Sequence, residues 1–235
     1  MRATDAAGNL STYSNTASAT TSAAPPPPTN VTFVQGNYTT PHNQGSAPVT
    51  ATFTAAQGAG DLNVVMIGWN DTTATVKSIT DATGNAYTLA VGPTLLSGLT
   101  THVIYYAKNI GAAAKGNTVT VTFNGSPVAP DMRILEYSGA STTNPLDAAA
   151  GATGTSTVST VSLTTTSTND LIVAGNYVET GVTGPGTGFT SRMITQPDAD
   201  IAEDELAVTV GTYTATANLS PSGWWVMQAI AIRHN

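Results

Sequence analysis

From Asn30 onward the chain is cut into alternating or wholly apolar runs of five to nine residues, separated by clusters of Gly, Pro, Asn and Asp. Alternation with a period of two marks a strand with one buried face, and a short apolar run between turn signals marks a strand buried on both. Helical periodicity is nearly absent. The residue supply agrees, because 43 of the 235 residues are Thr, whose β-branching restricts χ1 and favours strands over helices. The expected fold is all-β, a two-sheet antiparallel sandwich of jelly-roll type, and the length allows it to be a single large domain.

The expected strands form two series. The first runs through 31–35, 49–54, 62–69, 76–80, 86–91, 101–107, 118–123 and 132–137. After a Gly/Thr-rich crossover the second takes in 157–165, 170–178, 189–194, 205–210, 212–219 and 224–232. Laid under each other, the two series show a diverged internal repeat. Asp61-Leu62 matches Asp170-Leu171 at an offset of 109, Asn85 to Thr88 matches Thr187 to Thr190 at 102, and Met132 to Tyr137 matches Met227 to Ile232 at 95. The order is kept while the loops shorten, as duplication followed by drift would produce.

The first 29 residues are different in kind. Asp5-Ala6-Ala7-Gly8-Asn9 places a Gly-Asn turn between two short strand-like runs, and Pro25 to Pro28 form a polyproline spacer that lacks the backbone donors of a central strand. The expected division is a short N-terminal segment at 1–22, a Pro-rich linker at 23–29 and the sandwich at 30–235. The pattern Asp5 to Ser11, followed by a Ser/Thr-rich run, resembles the last hairpin of bacterial fibronectin type III domains. That resemblance implies a remnant of a larger modular protein, or an arm at residues 3–21 that completes a sheet of a neighbouring copy. Residues 47–235 resemble the β-sandwich modules of large secreted bacterial proteins, on the stretches Val76 to Leu89, Asn117 to Phe123 and Ile134 to Ala140. The resemblance implies an extracellular or cell-surface location.

Only 9% of residues are charged, against roughly 25% in an ordinary soluble domain, and the net charge is −7. Seven Lys and Arg supply no basic stripe able to neutralise several phosphates, so nucleic acid is not an expected partner. There is no Cys, hence no disulfide and no thiolate chemistry. No apolar segment has the length of a membrane-spanning helix, and Met1 to Asp5 lack the apolar region of a secretory signal.

Chemistry has few carriers. Glu136 shares a strand face with Met132 and Ile134, where desolvation would raise its pKa, but no second acid stands opposite it in the repeat. His42, His102 and His234 have no nucleophile elbow beside them. An enzyme, even a glycan-active one, is therefore not expected. Asp198 to Glu205 carries five acids in eight residues and reads as an oxygen-rich loop, whose Asp198, Asp200, Glu203 and Asp204 are candidates for a structural calcium ion. Sugar recognition uses flat aromatic faces flanked by amide and carboxylate groups, which singles out Trp69 with Asn70 and Asp71 at a strand end, and the pair Trp224 and Trp225. Adjacent residues on a strand point to opposite faces, so one of that pair enters the core while the other covers a surface. The expected function is a non-catalytic module for glycan binding or adhesion. The alternative is a structural subunit of an extracellular filament or matrix, joined by N-terminal strand addition.

Overall fold

The computed structural model describes residues 2–12, 30–42, 45 and 47–235. The linker 23–29 and residues 13–22, and with them the second part of the expected strand-exchange arm, lie outside the described residues. Residues 2–12 form a small exposed turn in which Thr4 bridges Leu10. Asp5 Oδ1 accepts the backbone N–H groups of Ala7 and Asn9, and its Oδ2 accepts the Asn9 amide. The same five-residue pattern recurs at Asp81 to Asn85 with the same bonds, Asp81 Oδ1 holding the N–H groups of Thr83 and Asn85 and Oδ2 the Asn85 amide. Both are Asx-type turns, as their sequences suggest.

Among the described residues there are fourteen strands and no helix. The first eight are β1 Thr32–Thr39, β2 Val49–Thr52, β3 Leu62–Trp69, β4 Thr75–Thr80, β5 Thr88–Leu96, β6 Thr100–Ala107, β7 Thr118–Asn124 and β8 Asp131–Ser138. They make two antiparallel sheets, β1-β8-β3-β6-β5 and β2-β7-β4, which is jelly-roll order except that β5 pairs with β6 at the edge of the larger sheet instead of with β4. Between the sheets lies a core of Phe53, Val65, Ile67, Trp69, Val119, Val121, Met132 and Ile134.

The second half is β9 Leu146–Thr164, β10 Asp170–Val178, β11 Gly181–Pro185, β12 Thr190–Ile194, β13 Ile201–Ala207 and β14 Thr212–Ile232. The C-terminal part of β14 pairs with β10 and its N-terminal part with β11, while β9 follows it throughout. Side chains from both parts, Ala215, Ala217 and Leu219 with Met227, Ala229 and Ala231, belong to one core. The long β9-β14 ribbon therefore turns a corner where its register shifts, between Asn218 and Gly223, and contributes to both layers. It does the work that β1, β2, β7 and β8 do as separate strands in the first half.

The registers coincide between halves. Leu62 faces Tyr137 and Leu171 faces Ile232, the pairs related by the offsets 109 and 95. Thr88 faces Tyr106 and Thr190 faces Asp204. Even the bulges recur: Phe33/Gln35 answers Leu146/Ala148, Leu89/Val91 answers Ser191/Met193, and Val76/Ser78 answers Val182/Gly184. The antiparallel sandwich is thus present once per half. The two halves stack through the outer faces of their larger sheets, where Leu62, Val64, Met66, Leu135 and Tyr137 meet Leu171, Val173, Ala202, Ile230 and Ile232.

Two expectations are corrected here. The stretch 146–156, read as crossover, is the first part of β9, whose small residues gave no apolar signal. The acidic stretch is no continuous loop, because β13 begins at Ile201 and carries Glu203 and Asp204 as buried strand residues.

Candidate functional site

At one end of the stacked sheets the polar face between the halves opens into a cleft of about 570 Å³. The first half contributes His42, Asn70 and Ala129, from the segments after β1, β3 and β7. The second contributes Tyr177 to Gly181 after the core of β10, Pro197, Asp198 and Asp200 between β12 and β13, and Trp224 on β14. Alternation along the strands explains the placement. On β10 and β14, residues 172, 174, 227, 229 and 231 point into the second core, while 171, 173, 230 and 232 face the first half. Tyr177 and Trp224 continue that second set to the end of the sheet.

The aromatic wall is fixed from several sides. Trp224 N donates to Glu179 Oε2 at 2.9 Å, and Glu179 N donates to the Trp224 carbonyl at 3.0 Å. The Trp224 ring lies 6.1 Å from that of Tyr177, whose hydroxyl donates to the Ala129 carbonyl at 2.7 Å. Trp224 stays half-buried, which leaves ring surface open to the cleft.

The acidic wall is built on a tight loop. Thr195 N donates to the Asp200 carbonyl at 2.9 Å, Asp200 N donates to Thr195 Oγ1 at 3.0 Å, and Ala199 between the two acids is held at φ 57°. Ala129, across the cleft, has φ 42°, so two non-glycine residues in the left-handed region flank one site. Asp200 is fully buried; its Oδ1 accepts Val178 N at 2.8 Å and its Oδ2 has no partner. Asp198 lies 3.4 Å from His42 Nε2. Behind them Asp131, also fully buried, accepts Arg133 Nε at 3.0 Å on Oδ1 and has an unpartnered Oδ2.

Burial dominates the titration of these groups. It pushes Asp200 well above the usual carboxylate range, with the Asp131 charge adding to the effect and Arg133 opposing it. Asp198 is raised by burial against the pull of His42 and Arg133. Asp131 is pushed up to about 6, burial again exceeding the attraction of Arg133. The Arg133 guanidinium also donates to the Ile201 carbonyl at 2.6 Å and lies 3.2 Å from His102 Nε2, whose Nδ1 lies 2.8 Å from Gln228 Oε1. A row of buried polar groups therefore runs from the middle of the interface to the floor of the cleft.

Of the residues singled out in the sequence, the cleft brings together Asn70, Trp224, Asp198 and Asp200. Asn70 keeps an exposed side chain at the rim. Trp69 is buried in the first core, edge-on to Phe123 at 5.3 Å, and Trp225 in the second, its indole N–H donating to Ser156 Oγ at 2.9 Å. Asp71 caps its own turn, accepting from the N–H groups of Thr73, Ala74 and Val128, and those bonds hold its pKa low against burial. Glu203 and Asp204, as neighbours on a strand, diverge. Glu203 accepts Gly186 N at 3.2 Å, and burial pushes it up to about 8. Asp204 takes both ends of the Arg192 guanidinium at 2.7 and 2.8 Å and the Tyr137 hydroxyl at 3.1 Å. The four acids expected to share a calcium ion thus split between three environments. Among the described residues no three or more His, Asp or Glu side chains are grouped to hold a metal.

Glu136 is buried and accepts from Gln35 Nε2 at 2.6 Å and Gly58 N at 3.0 Å. Its acidic neighbour is Asp61, pushed up to about 7 by burial and then by the Glu136 carboxylate. The sequence reading missed Tyr177, Glu179 and Asp131 as parts of the site. Their only signal was position at the ends of β10 and β8, where the repeat aligns Tyr177 with Gly68 and Asp131 with Val226.

No protein-family model, curated protein or solved structure matches the chain.

Proposed function

We propose that the chain is a non-catalytic glycan-binding module of an extracellular or cell-surface protein, and that the cleft between its two halves is the binding site. The observation that carries this reading is Trp224: of the three Trp residues it alone keeps ring surface open, and it does so in a cleft rimmed by Asn70, Asp198, Glu179 and Thr180. A flat ring meets the C–H face of a sugar, while carboxylates and amides accept from and donate to its hydroxyls. The rigid setting, with Trp224 clamped to Glu179 and Asp200 to Val178, lowers the ordering cost of binding.

Affinity electrophoresis through gels containing soluble polysaccharides, followed by calorimetry with oligosaccharides, tests the proposal. At least one polysaccharide is expected to retard the full chain, and Trp224→Ala is expected to weaken binding by about tenfold or more, since a stacked aromatic contributes on the order of 1–3 kcal/mol. Retardation by no polysaccharide, or binding indifferent to Trp224→Ala, overturns it.

A further inference from the structure

We infer that the cleft selects glycans carrying a protonated amine, so that a deacetylated amino-sugar polymer is its ligand rather than a neutral, N-acetylated or anionic one. This rests on the glycan reading above and adds the charge of the sugar. Asp198, Asp200 and Glu179 line the cleft and Asp131 lies behind it, four carboxyl groups against the Arg133 guanidinium and the His42 imidazole. The buried guanidinium is engaged through each of its three nitrogens, on Asp131, the Ile201 carbonyl and His102. Asp200 lines the cleft with one buried carboxylate oxygen that nothing inside the protein satisfies.

A buried acceptor without a donor costs free energy until a ligand supplies one. An ammonium group supplies up to three N–H donors and a compensating charge together, and the Trp224 face attracts a cation as well as a sugar ring. Burial holds Asp198 and Asp200 above the ordinary carboxylate range, with repulsion from Asp131 and Asp198 adding to it for Asp200, and a cation entering the cleft favours the ionised form of both. A carboxylated sugar would meet the same repulsion. A bare metal ion fits less well, because the acids lie around an open cleft and do not converge on a point.

The test is calorimetry on the full chain near pH 6 with hexamers of glucosamine, N-acetylglucosamine and glucose, and with hexalysine. The glucosamine hexamer is expected to bind at least about tenfold tighter than the two uncharged sugars, and Asp198→Asn to reduce that advantage to about twofold or less. The Asp198 side chain is 25% exposed, and Asp200→Asn keeps the oxygen that accepts Val178 N, so both variants are expected to fold and to lose the same preference. If an uncharged hexamer binds as tightly as the amine, the inference fails while the glycan reading stands. If no sugar binds, both fall. If hexalysine binds as tightly as the amino sugar, the cleft reads ammonium on a peptide and the inference is overturned.

Discussion

Trp224 and Trp225 share a sequence neighbourhood and differ in every physical respect, because an extended backbone sends neighbouring side chains to opposite faces of a sheet. Trp225 fills the second core over Gly154 and donates to Ser156, so Trp225→Ala is expected to cost about 3–5 kcal/mol in urea denaturation. Trp224→Ala removes a half-exposed ring while leaving the backbone clamp to Glu179, and a loss of about 1 kcal/mol or less is expected. Equal losses would contradict this assignment of the two faces. The inside-outside alternation was legible from the sequence, but which Trp faced out was not, since that depends on which sheet face the first half covers. The acids at 203 and 204 misled for a related reason. Charge concentration reads as a solvated loop, whereas here both acids are buried in a strand, Glu203 meeting Gly186 N through one oxygen and Asp204 pairing with Arg192.

At the scale of elements, β3 and β10 are equivalent strands that cross where the halves meet, each offering a glycine to a large side chain of the other. A Cβ on Gly68 would lie 2.3 Å from the Tyr177 ring, and one on Gly175 would lie 2.4 Å from Met66 Sδ and 3.1 Å from the Ile201 carbonyl. The offset of 109 relates Gly68 to Tyr177 and Met66 to Gly175, so drift after duplication has exchanged large and small residues across the contact. Gly175→Ala is expected to destabilise by roughly 1–3 kcal/mol, and Met66→Ala in the same chain to recover part of that, because the flexible partner is removed while the Ile201 carbonyl stays. Fully additive losses in thermal denaturation would contradict the contact. The repeat itself was legible, since Leu62, Leu171, Tyr137 and Ile232 kept large side chains at fixed spacing. β11 and the start of β9 were not. Gly181 to Pro185 reads as a loop because Gly and Pro punctuate it, yet an edge strand tolerates both. Ala148 to Gly154 has too little apolar bulk to show a period.

At the scale of the whole molecule, the scarcity of charge has a consequence for pH. Burial, with help from nearby carboxylates, pushes Asp61 and Asp170 up to about 7 and Glu203 up to about 8. Between the ordinary carboxylate range and these values the native state holds protons that the unfolded chain has released, so their contribution to stability is lost as pH rises through about 7–8. His102, buried and held neutral, acts in the opposite sense only below its ordinary value near 6.5, where the unfolded chain takes up a proton and the native state does not. The window from pH 6.5 to 8.5 therefore isolates the carboxyls. The melting temperature is expected to fall across it, and Glu203→Gln to flatten the upper end. A flat or rising profile would show that these groups are ionised without cost.

The open indole of Trp224 is most directly tested by NMR, because the three Trp side chains give three indole N–H resonances in a ¹⁵N-labelled sample. Titration with a retarding oligosaccharide is expected to shift the resonance lost in Trp224→Phe and to leave those of Trp69 and Trp225 nearly unmoved. A ligand that binds while the Trp224 resonance stays still, or that shifts only Trp69 or Trp225, would contradict the cleft as the site of recognition.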